Sequence, residues 1–540
     1  MQRRHPVAPA PSRRLPHAAE GHSPAPAAAS GRRRRRVATV AALTLVAGYC
    51  ITAYLDSLLM FFFLDDFWML RDVAAMQWRT PLDLVQLFKP THVSFLMYRP
   101  LSQYGYFALL RALFGCDASA YHAVQLLVFT CCALLVFAIA RTLTGSIRAG
   151  LAASLIYAAA PGHAETVFWM ATSTMLGPAL VVLLMVLAWL RIASPAWRVA
   201  VCTTLQVIGL LMGEHAVTAP IVLALVSWES PREEPWRRRA LFLLPSCMIV
   251  AAYLAFKAWY VTAVLRTYFD YTPSYDPVVW LTNAGHYALG SINFIKLQRS
   301  KQPGTVSLLV GIGLVLLLVA AVWRAQRGRP GWRLLAIGVG AFLTALLPVV
   351  VLPAHFFDYY VGIAALGVGL ATVAACQLVL PRRWPSVALA IAAGVVLFDI
   401  VSGQRAARTD PFFVLATGGA RVAADFVAAV AAARAPGVVE VAVLSTPTTK
   451  YVFDSGHAEQ VFPGMPPNVR VFQASDPPRE EPGRAVVSFA PYLRPGDELP
   501  CWHRRWAWLR GVARWWSDEL RTGLAMIHPE DDEEGGDDEE

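Results

Sequence analysis

The chain has 540 residues, of which 56% are hydrophobic and only 16% are charged, and its mean hydropathy is +0.46. A composition this apolar excludes an ordinary soluble domain and indicates a polytopic membrane protein. The formal net charge of +10 does not indicate nucleic-acid binding, because the arginines stand in short clusters between apolar runs, as they do in the cytoplasmic loops of membrane proteins.

The amino-terminal part combines a basic tail with a first apolar run. Residues 1–36 are rich in Ala, Pro, His and Arg without apolar periodicity, which predicts a disordered cytoplasmic tail. Residues 37–64, interrupted only by Asp56, are enough to cross a hydrocarbon core of about 30 Å. A cleaved signal peptide is the alternative, but the run is too long and no small-residue cleavage site follows it. Five arginines at 32–36 therefore place the start of the first helix in the cytoplasm.

Ten further apolar runs bring the predicted number of transmembrane helices to about eleven. They cover residues 121–140, 150–169, 176–190, 199–212, 217–228, 241–261, 306–323, 334–352, 360–380 and 386–401. With the amino terminus inside, the arginine clusters that follow the second, fourth, sixth, eighth and tenth helices all fall on the cytoplasmic side. The predicted fold is therefore an all-α polytopic membrane domain over residues 37–402.

The remaining ionisable residues collect on the opposite side of the predicted membrane. Asp65 and Asp66 follow the first apolar run directly, where two adjacent carboxylates need water or a function. The same topology places at outer helix ends or in outer loops His163, Glu165, Glu214, His215, Asp270, His355 and Asp358. A polar helix end explains any one of them, but the whole set predicts one polar site on the extracytoplasmic side.

Two outer loops are unusually long, at residues 65–120 and 266–305. Loops of this length are usually functional or disordered, and the aromatic content of these two argues against disorder. Residues 104–114 are apolar enough to form an amphipathic helix along the membrane surface. We expect these loops to cover a substrate.

Six short motifs follow one another along the chain. They are Leu64-Asp65-Asp66-Phe67, Tyr98-Arg99-Pro100-Leu101, Leu113-Phe114-Gly115 with Tyr121-His122, and the segments 161–169 (PGHAETVFW), 213–220 (GEHAVTAP) and 355–360 (HFFDYY). Their order resembles the GT-C class of membrane glycosyltransferases, and within it the bacterial relatives of protein O-mannosyltransferases. The resemblance covers about residues 37–400. It implies transfer of a sugar from a polyprenyl-phosphate donor to a lipid, glycan or protein acceptor.

The resemblance also implies roles for the first two motifs. Asp65 or Asp66 would be the general base that deprotonates the acceptor, and the neighbouring carboxylate would raise the pKa of its partner. Arg99, beside Tyr98, is the candidate ligand of the donor phosphate because a guanidinium offers phosphate two parallel hydrogen bonds. An ion pair between Arg99 and Asp65 or another loop carboxylate is the equally weighted alternative.

The later motifs supply candidate sugar or acceptor ligands. His163 and Glu165 are two positions apart, so on a helix they point in different directions; Glu165 is the better ligand and His163 caps or packs. Glu214 and His215 follow Gly213 at a break between two helices, where irregular backbone in a membrane lines a wet cavity.

The motif at 355–360 departs from the family pattern. Some related proteins have an arginine before the corresponding tyrosines, where this chain has Asp358. His355 and Asp358 are therefore retained as substrate-binding candidates, and the donor phosphate is assigned to Arg99, to His355, or to Lys296 with Arg299.

No cofactor is predicted. Two carboxylates alone do not select a metal, so metal independence is favoured and a divalent ion is left open. The absence of a Gly-rich phosphate loop, a Cys/His zinc pattern and a nucleophile elbow argues against nucleotide-sugar donors and ATP-driven transport. A flippase for polyprenyl-linked lipids and a non-catalytic envelope-assembly protein remain the alternatives to a glycosyltransferase of the bacterial inner membrane.

The region after the last predicted helix is expected outside the cytoplasm. Residues 403–527 would contain a helix at 412–434 and short strands at 440–444, 469–472 and 485–489. Residues 502–524 carry tryptophans on one stripe and arginines beside it, which fits a helix on the membrane surface or one packed against this region. A disulfide between Cys116 and Cys501 is left open. The acidic residues 528–540 would be a disordered tail.

Overall fold

The computed structural model describes residues 26–62, 65–76, 81–88, 98–229, 234–264, 273–292, 304–328, 331–353 and 356–409. Farther along, it describes short stretches between 428 and 489. Several predicted features lie outside these residues: His355, Lys296, Arg299, Asp270, Cys501, the surface helix at 502–524, the acidic tail and most of the helix at 412–434.

Fifteen α-helices occur within the described residues. They are α1 (Pro26–Tyr54), α2 (Asp65–Ala75), α3 (Tyr106–Phe114), α4 (Ala118–Thr144), α5 (Ile147–Ala158), α6 (Gly162–Phe168), α7 (Ser173–Arg191), α8 (Pro195–Met212), α9 (Ala219–Val226), α10 (Trp236–Val264), α11 (Pro277–Ser291), α12 (Thr305–Gln326), α13 (Trp332–Val350), α14 (Val361–Val379) and α15 (Trp384–Thr409).

The prediction of a mainly helical, multi-pass membrane protein is confirmed. Eight helices in the described part of the chain are long and apolar enough to cross a membrane, and each of the eleven predicted runs falls on helical structure. The third run is divided into α5 and α6, because the pair Pro161-Gly162 interrupts it. The sixth run is only α9, flanked by short 3₁₀ turns. Within the described residues, the full-length spans are therefore fewer than the predicted apolar runs.

The first helix differs from the prediction at both ends. It begins at Pro26 rather than after residue 36, so residues 26–36 are helical and not part of a disordered tail. Ala27, Ala28 and Ala29 precede the arginines, and both residue types favour helix. The helix ends at Tyr54, and a 3₁₀ turn at Leu55–Leu59 separates it from α2. Asp65 and Asp66 consequently stand in the first turn of a new helix, where carboxylates are stabilised by the helix dipole.

Glycines allow close contacts between helices. A Cβ on Gly338 of α13 would lie 2.5 Å from the Ala371 backbone nitrogen of α14, and one on Gly367 of α14 would lie equally close to the Phe342 nitrogen. Small residues allow helix backbones in a membrane to approach this closely. α13 and α14 therefore form a tightly packed pair in the bundle.

Helix α11 in the second long outer loop was not predicted. Its Asn283 side chain is buried and donates hydrogen bonds to the carbonyls of Val350 and Leu352, at 2.8 and 3.2 Å. Tyr287, fully buried, packs against Phe356 at a ring distance of 5.8 Å. The described part of this loop, residues 273–292, thus packs against the predicted outer end of the bundle.

Three strands confirm the strand predictions in the carboxyl-terminal region. They are β1 (Glu440–Ser445), β2 (Val469–Gln473) and β3 (Arg484–Phe489), in the order β2-β1-β3. All pairs are parallel, with Val441 opposite Val469 on one side and Ala485 on the other. Parallel neighbours require long crossover connections, which the chain between the strands supplies.

Contacts between helix ends follow the predicted alternation across the membrane. At predicted cytoplasmic ends, Arg148 donates to Ser386 at 3.0 Å and Arg191 donates to Thr142 at 3.1 Å. At the observed ends of α1 and α5, the Tyr54 hydroxyl donates to the Ala158 carbonyl at 3.1 Å. These contacts join ends that the positive-inside pattern assigns to one side.

Candidate functional site

The segment between α6 and α7 brings the predicted motifs together. Residues 165–174, called here the central segment, comprise the end of α6, a 3₁₀ turn at Met170–Thr172 and the start of α7. Sequence reasoning treated these residues as a helix end and a loop. In the structure they contact, in turn, the segment at 356–360, Asp66, the segment after Arg99, and Gly213.

Asp66 is tied to the central segment. Its side chain is fully buried, and its Oδ1 accepts a hydrogen bond of 2.6 Å from the backbone nitrogen of Ala171. Asp65, one position earlier, is half-buried. The two carboxylates, equivalent in the sequence, therefore have different environments, and Asp65 is the one with access to solvent.

The Tyr98-Arg99 motif reaches the same place from the first long outer loop. A short π-helical segment, Pro100–Gly105, follows Arg99, and the Ser173 hydroxyl of the central segment donates to the Ser102 carbonyl at 3.3 Å. Ser102 in turn donates to the carbonyl of Met212. These bonds fix Arg99 next to the break between α8 and α9.

Arg99, Glu214 and Lys257 form what we call the charge triad. Arg99 Nε lies 2.6 Å from Glu214 Oε2, and Lys257 Nζ lies 2.7 Å from Glu214 Oε1. The sequence left open whether Arg99 binds phosphate or pairs with a loop carboxylate, and the structure shows a pair with Glu214. Lys257, near the outer end of α10, was not among the predicted site residues.

The electrostatics of the triad keep Glu214 ionised. Burial alone would raise the pKa of the Glu214 carboxyl, but the charges of Arg99 and Lys257 outweigh burial and hold that pKa well below its usual range. Burial and the Arg99 charge lower the pKa of the neighbouring His215 to about 4. The His215 ring is therefore neutral at pH 7.

The break before Glu214 is as predicted, and Gly213 explains it. Gly213 has an extended backbone, with φ 171° and ψ 159°, which separates α8 from the following turn. A Cβ at this position would lie 2.7 Å from the Thr174 carbonyl oxygen and 2.8 Å from the Pro178 ring. Glycine is needed because the central segment approaches the backbone here, and this approach places Glu214 beside it.

Glu165 connects the central segment to the last motif. Its Oε2 accepts a hydrogen bond of 3.3 Å from the backbone nitrogen of Tyr359. A Cβ on Gly162 would lie 2.0 Å from the Asp358 carbonyl oxygen, so only glycine permits this packing. Asp358 itself is half-buried and opens the 3₁₀ turn Asp358–Tyr360. Glu165 and Asp358 are thus brought to the same region.

An aromatic cluster lies beside this contact. Tyr359 stacks on Phe357 at 5.0 Å and meets Trp169 edge-on at 6.1 Å. Tyr360 stacks on the buried His215 ring at 5.6 Å. His215 therefore links the cluster to the charge triad and packs instead of reaching solvent.

His163 is not brought to the site. It is 1% exposed, and its ring lies 4.5 Å from the Tyr157 ring and 4.8 Å from the Phe129 ring. His163 and Glu165 do point in different directions on helix α6, as predicted. The burial favours the packing role that the sequence left open for His163.

Tyr98 lines the outer end of α10. Its hydroxyl donates to the Phe88 carbonyl at 3.0 Å, and its ring meets Phe256 at 5.0 Å. Tyr98 thereby holds the first outer loop against the helix that carries Lys257. It is half-buried, next to the triad.

In the described part of the chain, no three His, Cys, Asp or Glu side chains come close enough together to hold a metal ion. Metal independence stays a prediction. Cys116 is half-buried, and Cys501, with which a disulfide was left open, lies outside the described residues.

Lys257 could have been found from the sequence. It is a cation inside the predicted apolar helix at 241–261, and an ionisable residue within a membrane span marks a functional site by default. The contact between Ala171 and Asp66 had no such signal in the sequence. The donor is a backbone nitrogen, which can donate a hydrogen bond in almost any residue type.

No family model and no curated protein matches the chain. Among solved structures, the crystal structure of ArnT from Cupriavidus metallidurans bound to undecaprenyl phosphate is similar, with 15% identity and a TM-score of 0.43. The match covers 81% of this chain and 86% of that chain. At this score the similarity carries no argument about the site.

Proposed function

We propose that the protein is a membrane glycosyltransferase of the GT-C type. It moves a sugar from a polyprenyl-phosphate donor to a lipid, glycan or protein acceptor at the outer face of the bacterial inner membrane. The observation that carries the proposal is the charge triad: two cations from distant parts of the chain meet at one carboxylate, next to the segment that anchors the Asp65-Asp66 pair.

The cations are suited to the phosphate of the donor. Arg99 and Lys257 have side chains that are 10% and 13% exposed, so their charges are weakly screened by water. A guanidinium and an ammonium are both cationic side-chain groups that proteins use to bind phosphate. Both would stabilise the charge that develops on the leaving phosphate.

The central segment links the acidic pair to this proposed phosphate site. Ala171 contacts Asp66, and Thr174 contacts the backbone before Glu214. Three residues of a helical turn span about 5 Å. The central segment therefore connects the proposed base to the proposed phosphate site.

Asp65 is the proposed base, because Asp66 is buried and bonded to Ala171. The acceptor hydroxyl gives its proton to the Asp65 carboxylate as its oxygen bonds to the anomeric carbon. The bond between that carbon and the phosphate oxygen breaks, and the polyprenyl phosphate leaves with the electron pair. A single displacement inverts the anomeric centre.

The first prediction tests the base. Asp65→Asn should lower the transfer rate about 10²-fold or more, which is the usual contribution of a general base. The measurement is transfer of a radiolabelled sugar from polyprenyl-phosphate donors by purified protein in detergent. Melting temperatures establish that the variant is folded.

Asp66→Asn is the matched comparison. It keeps an acceptor oxygen for the Ala171 nitrogen, so we expect it to retain more activity than Asp65→Asn. Equal activity of Asp65→Asn and wild type would exclude Asp65 as the base. If wild-type protein transfers no sugar from any such donor but moves the lipid across vesicle membranes, the flippase alternative replaces the enzyme.

A further inference from the structure

We infer that Glu214 fixes the charge of the phosphate site so that it prefers the monoanionic phosphodiester of the donor to the dianionic monophosphate of the product. The inference rests on the proposed function and adds a specificity-determining residue to it. The triad of Arg99, Glu214 and Lys257 carries two positive charges and one negative charge.

The geometry commits both oxygens of Glu214 to the cations. Oε2 lies 2.6 Å from Arg99 Nε and Oε1 lies 2.7 Å from Lys257 Nζ. The Glu214 side chain is 18% exposed, so the three charges act together in a region of low dielectric constant. A ligand anion at the cations therefore meets a net charge of +1 from the triad.

The titratable groups that contact the triad leave this value unchanged, and the Asp65-Asp66 pair, joined to the site through the central segment, adds the same charge in every variant compared. His215 follows Glu214 and is stacked on Tyr360, and its pKa of about 4 keeps it neutral at pH 7. Tyr98 packs beside α10, and burial raises the pKa of its phenol further above neutrality. Tyr253, which interacts electrostatically with Glu214 and Arg99, is likewise a phenol, ordinarily neutral at pH 7.

The two ligands of the reaction differ by this one charge. A sugar linked through a phosphodiester carries one negative charge, which the triad neutralises. A phosphate monoester has a second pKa near 6 and carries between about 1.5 and 2 negative charges at pH 7. The product leaves an uncompensated negative charge in a largely buried site, which is costly. The site consequently favours donor over product and helps release the product after transfer.

The test compares two ligands on the full-length protein in detergent. The probes are a short polyprenyl monophosphate and the methyl diester of the same phosphate, which has no sugar and one charge. Titration calorimetry gives a Kd for each. In wild type at pH 7 the diester should bind more tightly, and the preference should disappear at pH 5, where both probes are monoanions.

Glu214→Gln keeps the size of the side chain and raises the triad charge to +2. We expect it to shift the Kd ratio about tenfold toward the monophosphate. Lys257→Gln lowers the charge to zero and should shift the ratio in the opposite direction. A merely structural role for the triad would move both ratios the same way.

Glu234→Gln is the matched control. Glu234 pairs with Arg198 at 2.7 Å and its side chain is also 18% exposed, but it lies at the predicted cytoplasmic end of the bundle. The ratio of the two Kd values for Glu234→Gln should equal the ratio for wild type. If wild type binds neither probe, the proposed function is wrong. If wild type binds both probes, and the ratio of their Kd values is the same in Glu214→Gln and Lys257→Gln as in wild type, the inference alone is overturned. If Glu214→Gln does not fold, the Kd ratio of Lys257→Gln decides the test.

Discussion

Polar residues that are close in the sequence have different surroundings in the folded chain. Asp65 and Asp66 are chemically identical and differ by one position, yet only Asp66 is fully buried and bonded to the Ala171 backbone. His163 and Glu165 separate in the same way, into the core and toward Tyr359. In each pair, the helix turns one side chain inward and the other toward the outer loops.

Asp66 should therefore matter for stability. Asp66→Ala leaves the Ala171 nitrogen without its carboxylate partner, and losing the partner of a buried donor costs about 1–3 kcal/mol. We expect a lower melting temperature in detergent, measured by intrinsic fluorescence. Asp65→Ala, at a half-buried position, should lower it less. A larger effect of Asp65→Ala would show that Asp66 is not the anchor.

At the scale of elements, close backbone contacts decide which helices meet. α11 and α12 approach so closely that a Cβ on Gly311 would lie 1.9 Å from the Leu281 carbonyl oxygen. α11 also carries Asn283 and Tyr287, which hold the outer end of α13 and the Phe356 region. The contact between α11 and α12 thus supports the loops around the proposed site.

Gly311→Ala should separate α11 from α12. Forcing a methyl group into a packed interface typically costs about 1–3 kcal/mol, and it should lower the melting temperature and increase proteolysis at 273–292. Gly313→Ala in the same helix is the control, because a Cβ there meets nothing within 4 Å. Alanine at 313 should be neutral or slightly stabilising, given its higher helix propensity. Equal destabilisation by both variants would contradict the observed packing.

For the whole molecule, the arrangement of ends places the proposed site on one side of the bundle. The contacts at Asp66, Glu214 and Glu165 all join helix ends that the arginine pattern assigns to the outside. The contacts of Arg148, Arg191 and Arg198 join ends assigned to the inside.

This topology predicts the labelling of introduced cysteines. Ser119, at the start of α4, and Arg383, before α15, are both exposed. In a background without Cys501, the exposed Cys247 and the half-buried Cys116, an impermeant thiol reagent added to intact cells should label Ser119→Cys and not Arg383→Cys. After lysis both should react. Labelling of both variants in intact cells would contradict the predicted topology, on which the outer location of the site depends.

The sequence by itself determined the class of protein, most of the described helices and the described strands, and it predicts that the polar set lies on the outer side. Apolar runs, arginine clusters and short β-branched runs depend on local composition, and composition is present before folding. It also pointed to Arg99, Glu165 and Glu214, since polar residues at membrane helix ends are conspicuous.

Only the tertiary structure decided how these residues act together. It paired Arg99 with Glu214, added Lys257 from a helix more than forty positions farther along the chain, and distinguished Asp65 from Asp66. Such contacts join residues far apart in the sequence and depend on backbone approach at Gly213 and on the main chain of Ala171. The backbone approach at Gly213 and the main-chain contact of Ala171 leave no pattern in composition or periodicity. Packing, rather than the type of side chain, decides which groups interact there.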